Sequence, residues 1–316
     1  MSADGLLRLA TDAVAITVDP LRGADIRSVV DRRTGVDVLF RSPWAEHAAE
    51  AVRRGAQLWH GSSAEAWLQT YAGGWQVLCP NAGGPQTRDG VEQGFHGETA
   101  VIPWTVEEWE SSSATLHAEL FTAPLRLRRT IELDDRAVIV TDTVTNSAPV
   151  AVDFDFQHHP AFGRPLVGPG AVLESGATSF WRDAEFPEAE DEPPIDLVPD
   201  AGRSLERLGW FTGFESAWVS LRNPALDLGV CLSWDADLLP NAWLWEDFNG
   251  TAGFPWFRRA YVLALEPSST VTSGPGRART MRLEPYASVT VAVRLQLCAG
   301  RRPVTGVDAR GAVTSS

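Results

Sequence analysis

The chain has no lysine. All 27 basic residues are arginine, set against 41 acidic ones, for a formal net charge of −14 over 316 residues. An acidic chain without a basic run is poorly suited to nucleic acid or to an anionic membrane surface, and neither is expected as a partner. The exclusive use of arginine reads as genome composition bias. Cysteine is also scarce. Cys79, Cys231 and Cys298 lie far apart and form neither a disulfide framework nor a metal-ligand spacing. No apolar run approaches the roughly 20 residues that cross a bilayer. The opening MSADGLLRLATDAVAITV lacks the basic and apolar regions of a signal peptide, so the cytoplasm is the expected location. Helical patterning is nearly absent. Only WAEHAAEAVRRGAQLW, Trp44–Trp59, reads as a helix, and a glycine interrupts it.

What remains is 44% hydrophobic and 22% charged, a balance that suits a globular protein with a sizeable core. Short alternating, β-branched segments dominate, punctuated by Gly, Pro, Asp and Asn. ADIRSVVDRRTGVDVLF reads as strand, turn, strand, with the turn near Asp31–Gly35. A meander runs from Thr105 to Phe156 through TVEEWE, ATLHAELF, LRLRRTIEL, AVIVTDTVTN and VAVDFDF. SAWVSLRN, LGVCLSW, RAYVLALEP and SVTVAVRLQL continue the style toward the C-terminus. Residues 182–206 are acidic and proline-rich and read as a long loop. With no Ser/Gly-rich linker and no clear repeat, residues 1–300 read as one large antiparallel β-sandwich domain, all-β in class. Residues 301–316 read as a loose tail.

The most informative stretch is DFDFQHHPAFG, Asp153–Gly163. On a strand, side chains alternate between faces. Asp153, Asp155, Gln157 and His159 therefore share a polar face, while Val152, Phe154, Phe156 and His158 share an apolar one. Pro160 cannot donate to a ladder, so the strand should stop or bend there and display His159 at its end. A surface histidine beside a turn is the plain alternative. LALEPSS ends an apolar strand in the same way, with Glu266 before Pro267. A histidine and a carboxylate brought into one cleft would form an acid/base pair.

Other stretches stand out less sharply. GGWQVLCPNAGG, Gly73–Gly84, is a glycine-rich loop carrying Trp75, Gln76 and Asn81. FHGE sets His96 beside a glycine, and LPNAWLWEDFNG puts Trp243 and Trp245 on one strand face. These tryptophans suit a core more than a ligand platform. His96, His158 and His159 with a carboxylate match no standard metal-ligand spacing, and no metal is expected. VGPGAV and GPGRAR lack the following helix that phosphate cradling needs. Asn249–Thr251 fits a glycosylation sequon, but no secretion signal supports its use.

Taken together, these stretches resemble the aldose 1-epimerase, or galactose mutarotase-like, family. GADIRSVVDRRTGVDVLF is similar to the family's opening segment and FHGE to its first histidine motif. HPAF, His159–Phe162, is similar to its H-P-Y-F, with Ala161 in place of tyrosine. LEPSS is similar to its L-E-P, and MRLEPYASVTVAVRLQL to its terminal strand pair. The resemblance implies a β-supersandwich with an open sugar cleft, and interconversion of the anomers of a free aldose without cofactor or metal. It implies Glu266 as the base at the anomeric hydroxyl, His159 as the acid at the ring oxygen and His96 as an assistant. Substrate contacts are expected from Gln76, Asn81, Trp75, Trp243, Trp245 and Glu246. The chain departs from the family where Ala82 follows Asn81 in place of a sugar-binding arginine; Gln76 or Arg88 would substitute. The family's sugar-binding aspartate would correspond to Glu246, Asp247 or Glu215.

Three other readings compete. A hexose-6-phosphate epimerase would want clustered arginines to hold the phosphate. A non-catalytic sugar-binding protein of the same fold would be expected to have lost His159 or Glu266. A glycosidase would need two carboxylates flanking the bond.

Overall fold

Alternation decides the architecture. Leu125–Asp134 buries every second residue and exposes most of those between, and Ala137–Asn146 pairs with it along its whole length. These ten-residue strands anchor an antiparallel sheet of eight. Its order is Val172–Ser175, Ala217–Asn223, Leu228–Trp234, Ser288–Cys298, Ala137–Asn146, Leu125–Asp134, Ser113–Glu119, Thr105–Trp109. The expected meander, from Thr105 to Asn146, forms its last four strands, while VAVDFDF at its end lies outside this sheet. The computed structural model describes residues 5–47, 61–88, 90–183, 204–271, 273–274, 281–308 and 310–315.

A second antiparallel sheet faces the first across a core rich in Val, Leu and Ile. It contains, in order, Leu7–Ala10, Val14–Asp19, Asp25–Asp31, Trp75–Leu78, Gln157–Phe162, Tyr261–Ser268, Asn241–Phe248, Leu205–Thr212 and Ser179–Arg182, with Val36–Asp37 beside Asp25–Asp31. The fold is all-β, as expected, and two-sheet stacking buries one face of each sheet. The other face of the second sheet carries the cleft.

Several local expectations need correction. The strand around the paired histidines does not stop at Pro160; it runs through it, Gln157–Phe162. It does break earlier, because Val152–Phe154 pairs separately with Met281–Leu283. Trp75–Leu78 is a strand inside what reads as a glycine loop. The tail is not loose throughout. Val304–Val307 and Val313–Ser315 form a hairpin, with Val304 buried against Trp218 and Cys231. The expected helix over Trp44–Trp59 falls mostly outside the described residues, as does most of the 182–206 loop, whose last two residues belong to the strand Leu205–Thr212. A helix that the apolar pattern did not reveal spans Ser63–Thr70. Ser62 caps it by accepting the Glu65 amide, a local N-terminal signal. Among the described residues, no helix is long and apolar enough to cross a membrane.

Candidate active site

Sheet register assembles the site. Directly paired residues of neighbouring strands project from the same face. Trp243 pairs with Glu266. The pairs Gln157–Ser268 and Ala161–Ala264 bracket His159 opposite Glu266, and His159 pairs with Gln76. The pair Ile26–Trp75 then brings Asp25 level with Gln76. Asp25, Gln76, His159, Glu266 and Trp243 thus form one row across five strands. The next row is small: Trp245 pairs with Ala264, Ala264 with Ala161, and the Ala161 amide bonds to Gly74. Phe40, Tyr71 and Trp256 pack over these alanines, so the space a tyrosine would fill at position 161 is taken by rings from other segments.

The cavity above these rows holds about 390 Å³. Its floor includes His159, Glu266, Trp243 and Trp245. The helix supplies Trp67 and Leu68, and Tyr71 follows it. Phe254, Pro255 and Trp256 form another wall, and Phe95, His96, Gly83 and Gly84 the far side. Glu206, Leu208, Thr251 and Ser273 complete the lining. No arginine is among these described lining residues. A mostly apolar concavity with a few converging polar groups is the usual form of a small-molecule site.

His159 Nε2 lies 3.4 Å from Glu266 Oε1, and both side chains are almost fully buried. Burial disfavours the charged form of each group. It pushes the Glu266 carboxyl up to about 8, against the opposing pull of the hydrogen bond from Gln157, and the His159 imidazole down to about 4. Near neutrality the pair therefore holds one proton between its two groups. Gln157 Nε2 donates to Glu266 Oε2, and Gln157 Oε1 lies 2.9 Å from Ser268 Oγ. With Oε2 engaged as an acceptor, the Glu266 proton belongs on Oε1, toward His159.

His158 points the other way. Its Nδ1 accepts the Trp75 indole N–H at 3.1 Å, and its Nε2 sits 3.6 Å from Asp142 Oδ2. Asp142 is already bound to Arg129 at 2.8 Å. Burial, aided by the Arg129 charge, holds His158 well below its ordinary range. The two-face reading of the paired histidines is the one the structure adopts.

His96 lines the cavity with φ of +61°. Its Nδ1 accepts the Gly83 amide at 3.0 Å, which places the proton of a neutral ring on Nε2. Its ring lies 5.6 Å from that of His159. Gly97 beside it is obligatory: at φ +68°, a Cβ would stand 2.5 Å from the Cys79 carbonyl oxygen.

Four expected substrate contacts do not reach the cavity. Trp75 is spent on His158 in the core. Glu246 projects opposite to Trp245 and binds Arg207. Asn81 donates to the carbonyls of Gly84 and Gly94, bracing the loop that carries Gly83. Gln76 lies behind the lining and donates to Asp25 Oδ2 and the Gly73 carbonyl. Nor is Arg88 part of the lining; it lies 3.5 Å from Asp155. Asp247 accepts from Thr251 at 2.6 Å, and Glu215 is likewise outside the lining. Glu206, directly opposite Asp247, is the acidic residue that enters the cavity at this end. Sequence reasoning missed it, together with Trp67, Tyr71 and Trp256. No group of three His, Cys, Asp or Glu side chains is arranged to hold a metal ion among the described residues.

A sequence profile for a family described as a domain of unknown function, DUF4432, matches residues 4–297. Comparison with curated proteins gives no match. Solved structures match in fold. A candidate aldose 1-epimerase from Klebsiella pneumoniae superposes with a TM-score of 0.71 at 19% identity, covering 92% of this chain and 78% of that one. A protein from Synechocystis gives 0.68 at 18%, covering 93% and 96%. A galactose mutarotase-like protein from Lactobacillus casei gives 0.65 at 16%, covering 93% and 100%.

Proposed function

The chain belongs to the DUF4432 family, and we propose that it interconverts the α and β anomers of a free aldose by acid/base ring opening. The observation that carries this reading is the His159–Glu266 contact, 3.4 Å across, on the floor of an aromatic-walled cavity. Ring opening removes the proton from O1 and delivers one to O5; rotation about C1–C2 and closure on the other carbonyl face reverse both transfers. The net proton count of the enzyme does not change. A pair that shares one proton suits this reaction, because one partner gives as the other takes.

Glu266 acts as the base at O1 and His159 as the acid at O5. Burial favours the neutral pair, with the proton on Glu266. Transfer to His159 Nε2 gives carboxylate and imidazolium, the form ready to react. Hydrogen bonds from sugar hydroxyls stabilise that charged form. Each proton transfer contributes on the order of 10²–10⁴-fold. Trp245, whose ring lies 6.2 Å from that of His159, packs on the C–H face of the sugar, and His96 donates from Nε2.

Glu206 stands four residues, roughly 13 Å, along the strands from the row of Glu266 and accepts from distal hydroxyls. The absence of arginine from the described lining favours a neutral sugar over a phosphorylated one. The test is saturation-transfer NMR of anomeric protons across a panel of free aldoses and their 6-phosphates. Acceleration of at least one free aldose is expected. No acceleration of any panel member would refute the reading.

A further inference from the structure

Behind the lining, the row of paired residues continues from His159 into a buried polar cluster that the reaction above does not use. Gln76 is fully buried and directly opposite His159. Its amide orientation is fixed by what surrounds it. Nε2 lies 2.6 Å from the Gly73 carbonyl oxygen and 3.2 Å from Asp25 Oδ2. A carbonyl oxygen only accepts, and so does an ionised carboxylate, so the NH₂ end must face them. Arg22 lies 3.7 Å from Asp25 Oδ2 and favours that ionised form, although burial pushes the Asp25 carboxyl up to about 7.

The other end, Gln76 Oε1, is buried without a hydrogen-bond partner, and Nδ1 of His159 has no side-chain partner, only a backbone contact within its own residue that favours the charged ring. The two atoms are complementary: an amide oxygen needs a donor, and an imidazole Nδ1 becomes one when it carries the proton. They belong to residues paired across one face, whose Cβ atoms stand about 5 Å apart in such pairs. Leaving the amide oxygen unpaired is costly. Hydrogen bonds in a site are often long without substrate and tighten in the complex.

We infer that Gln76 is a positioning residue for His159: its Oε1 takes the Nδ1 proton, so that Nε2 is left as the nitrogen that exchanges protons with Glu266 and substrate. This inference rests on the proposed reaction for its kinetic consequence, but not for the tautomer. The consequence follows from charge. When Nε2 takes up the Glu266 proton, the ring becomes an imidazolium, and its Nδ1–H bond to Gln76 becomes charge-assisted and stronger. Asp25, held by Arg22, keeps Gln76 turned the right way. Gln76 is thereby a support beneath the acid, and not a contact to sugar.

The experiment is ¹⁵N NMR of the full chain labelled in its histidine rings, where protonated and bare nitrogens of a neutral imidazole give well-separated signals. The His159 signals are assigned by their loss in His159→Asn. The expected result in the native chain is a proton on Nδ1 and a bare Nε2. In Gln76→Leu the two tautomers should mix, and kcat should fall roughly 10- to 100-fold, the scale of one hydrogen bond to a charged group, with KM little changed. A native proton on Nε2 overturns the inference, as does a Gln76→Leu chain that keeps both native tautomer and native kcat. If Gln76→Leu fails to fold, the native tautomer decides alone. If no aldose is turned over, the proposed reaction fails while the tautomer still tests this inference.

Discussion

His158 and His159 are adjacent, chemically identical and both buried, yet the strand turns them into different environments. On the core side, His158 accepts from Trp75 and faces a carboxylate already neutralised by Arg129. On the cleft side, His159 touches Glu266, and its Nδ1 has no side-chain partner. The first arrangement holds two sheets together. The second leaves a proton poised beside a cavity. Burial lowers the basicity of both rings, so a perturbed histidine is not by itself a sign of chemistry. The neighbours and the empty space decide.

The sharpest way to break this contrast is to remove the proton exchange on the cleft side. Glu266→Gln should lower kcat by roughly 10²–10⁴-fold while sugar binding survives, because glutamine keeps the shape but takes no proton. Saturation transfer and calorimetry read the two quantities. Full activity in this variant would remove Glu266 as the base.

Acidity gives the next effect. Burial raises the Glu266 carboxyl to about 8 from an ordinary 4.5. The stability tied to that shift is fully present below pH 4.5 and is lost as pH rises through about 8. Glu266→Gln should therefore gain on the native chain between these limits, by an amount on the order of a few kcal/mol, seen in urea unfolding at several pH values. His159 runs the opposite way. With its folded value down at about 4 from 6.5, its contribution is present above 6.5 and is lost as pH falls through about 4. Activity should be highest where the pair holds one proton, between about 4 and about 8. A rate that climbs steadily through pH 9 would contradict the shared proton.

On the core side, His158→Asn should cost about 1–3 kcal/mol of stability by leaving the Trp75 indole and Asp142 poorly matched, with anomer exchange retained. Lost catalysis at native stability would mean the wrong histidine of the pair has been given the chemistry. The smallest effect is expected at the far end of the cavity. Glu206→Gln should raise KM several-fold, about 1 kcal/mol, with kcat kept. An unchanged KM for every sugar tested would remove Glu206 from the binding site.

Much of this is legible in the sequence. Alternation over Val152–His159 separated the two histidines, and the same rule gave the meander of the eight-stranded sheet. The rule reaches further along the chain. Trp243 and Trp245 share a face, so Glu246, next after Trp245, points to the other. Trp75 is a different case. Its face depends on Gln76 pairing with His159, and register between strands about 80 residues apart leaves no local trace. The walls supplied by Trp67, Tyr71 and Trp256 were invisible for a related reason. Tyr71 and Trp256 matter because they pack over Ala161 and Ala264, a surface that exists only once their two strands are side by side. Glu206 lay in a segment whose acid and proline content pointed to a loop, while its strand begins one residue earlier, at Leu205.

The row Asp25–Gln76–His159–Glu266–Trp243 draws one side chain from each of five strands that are scattered along the chain. Slipping any one strand by a single residue turns its member to the opposite face. A misregistered chain would then present, in place of the acid/base pair, a leucine from beside Glu266 or a histidine from the core side. The cleft is therefore a sum over the whole sheet. Its chemistry switches on only when all four pairings between these strands are correct, so proton exchange with a sugar would report that these five strands have closed in register.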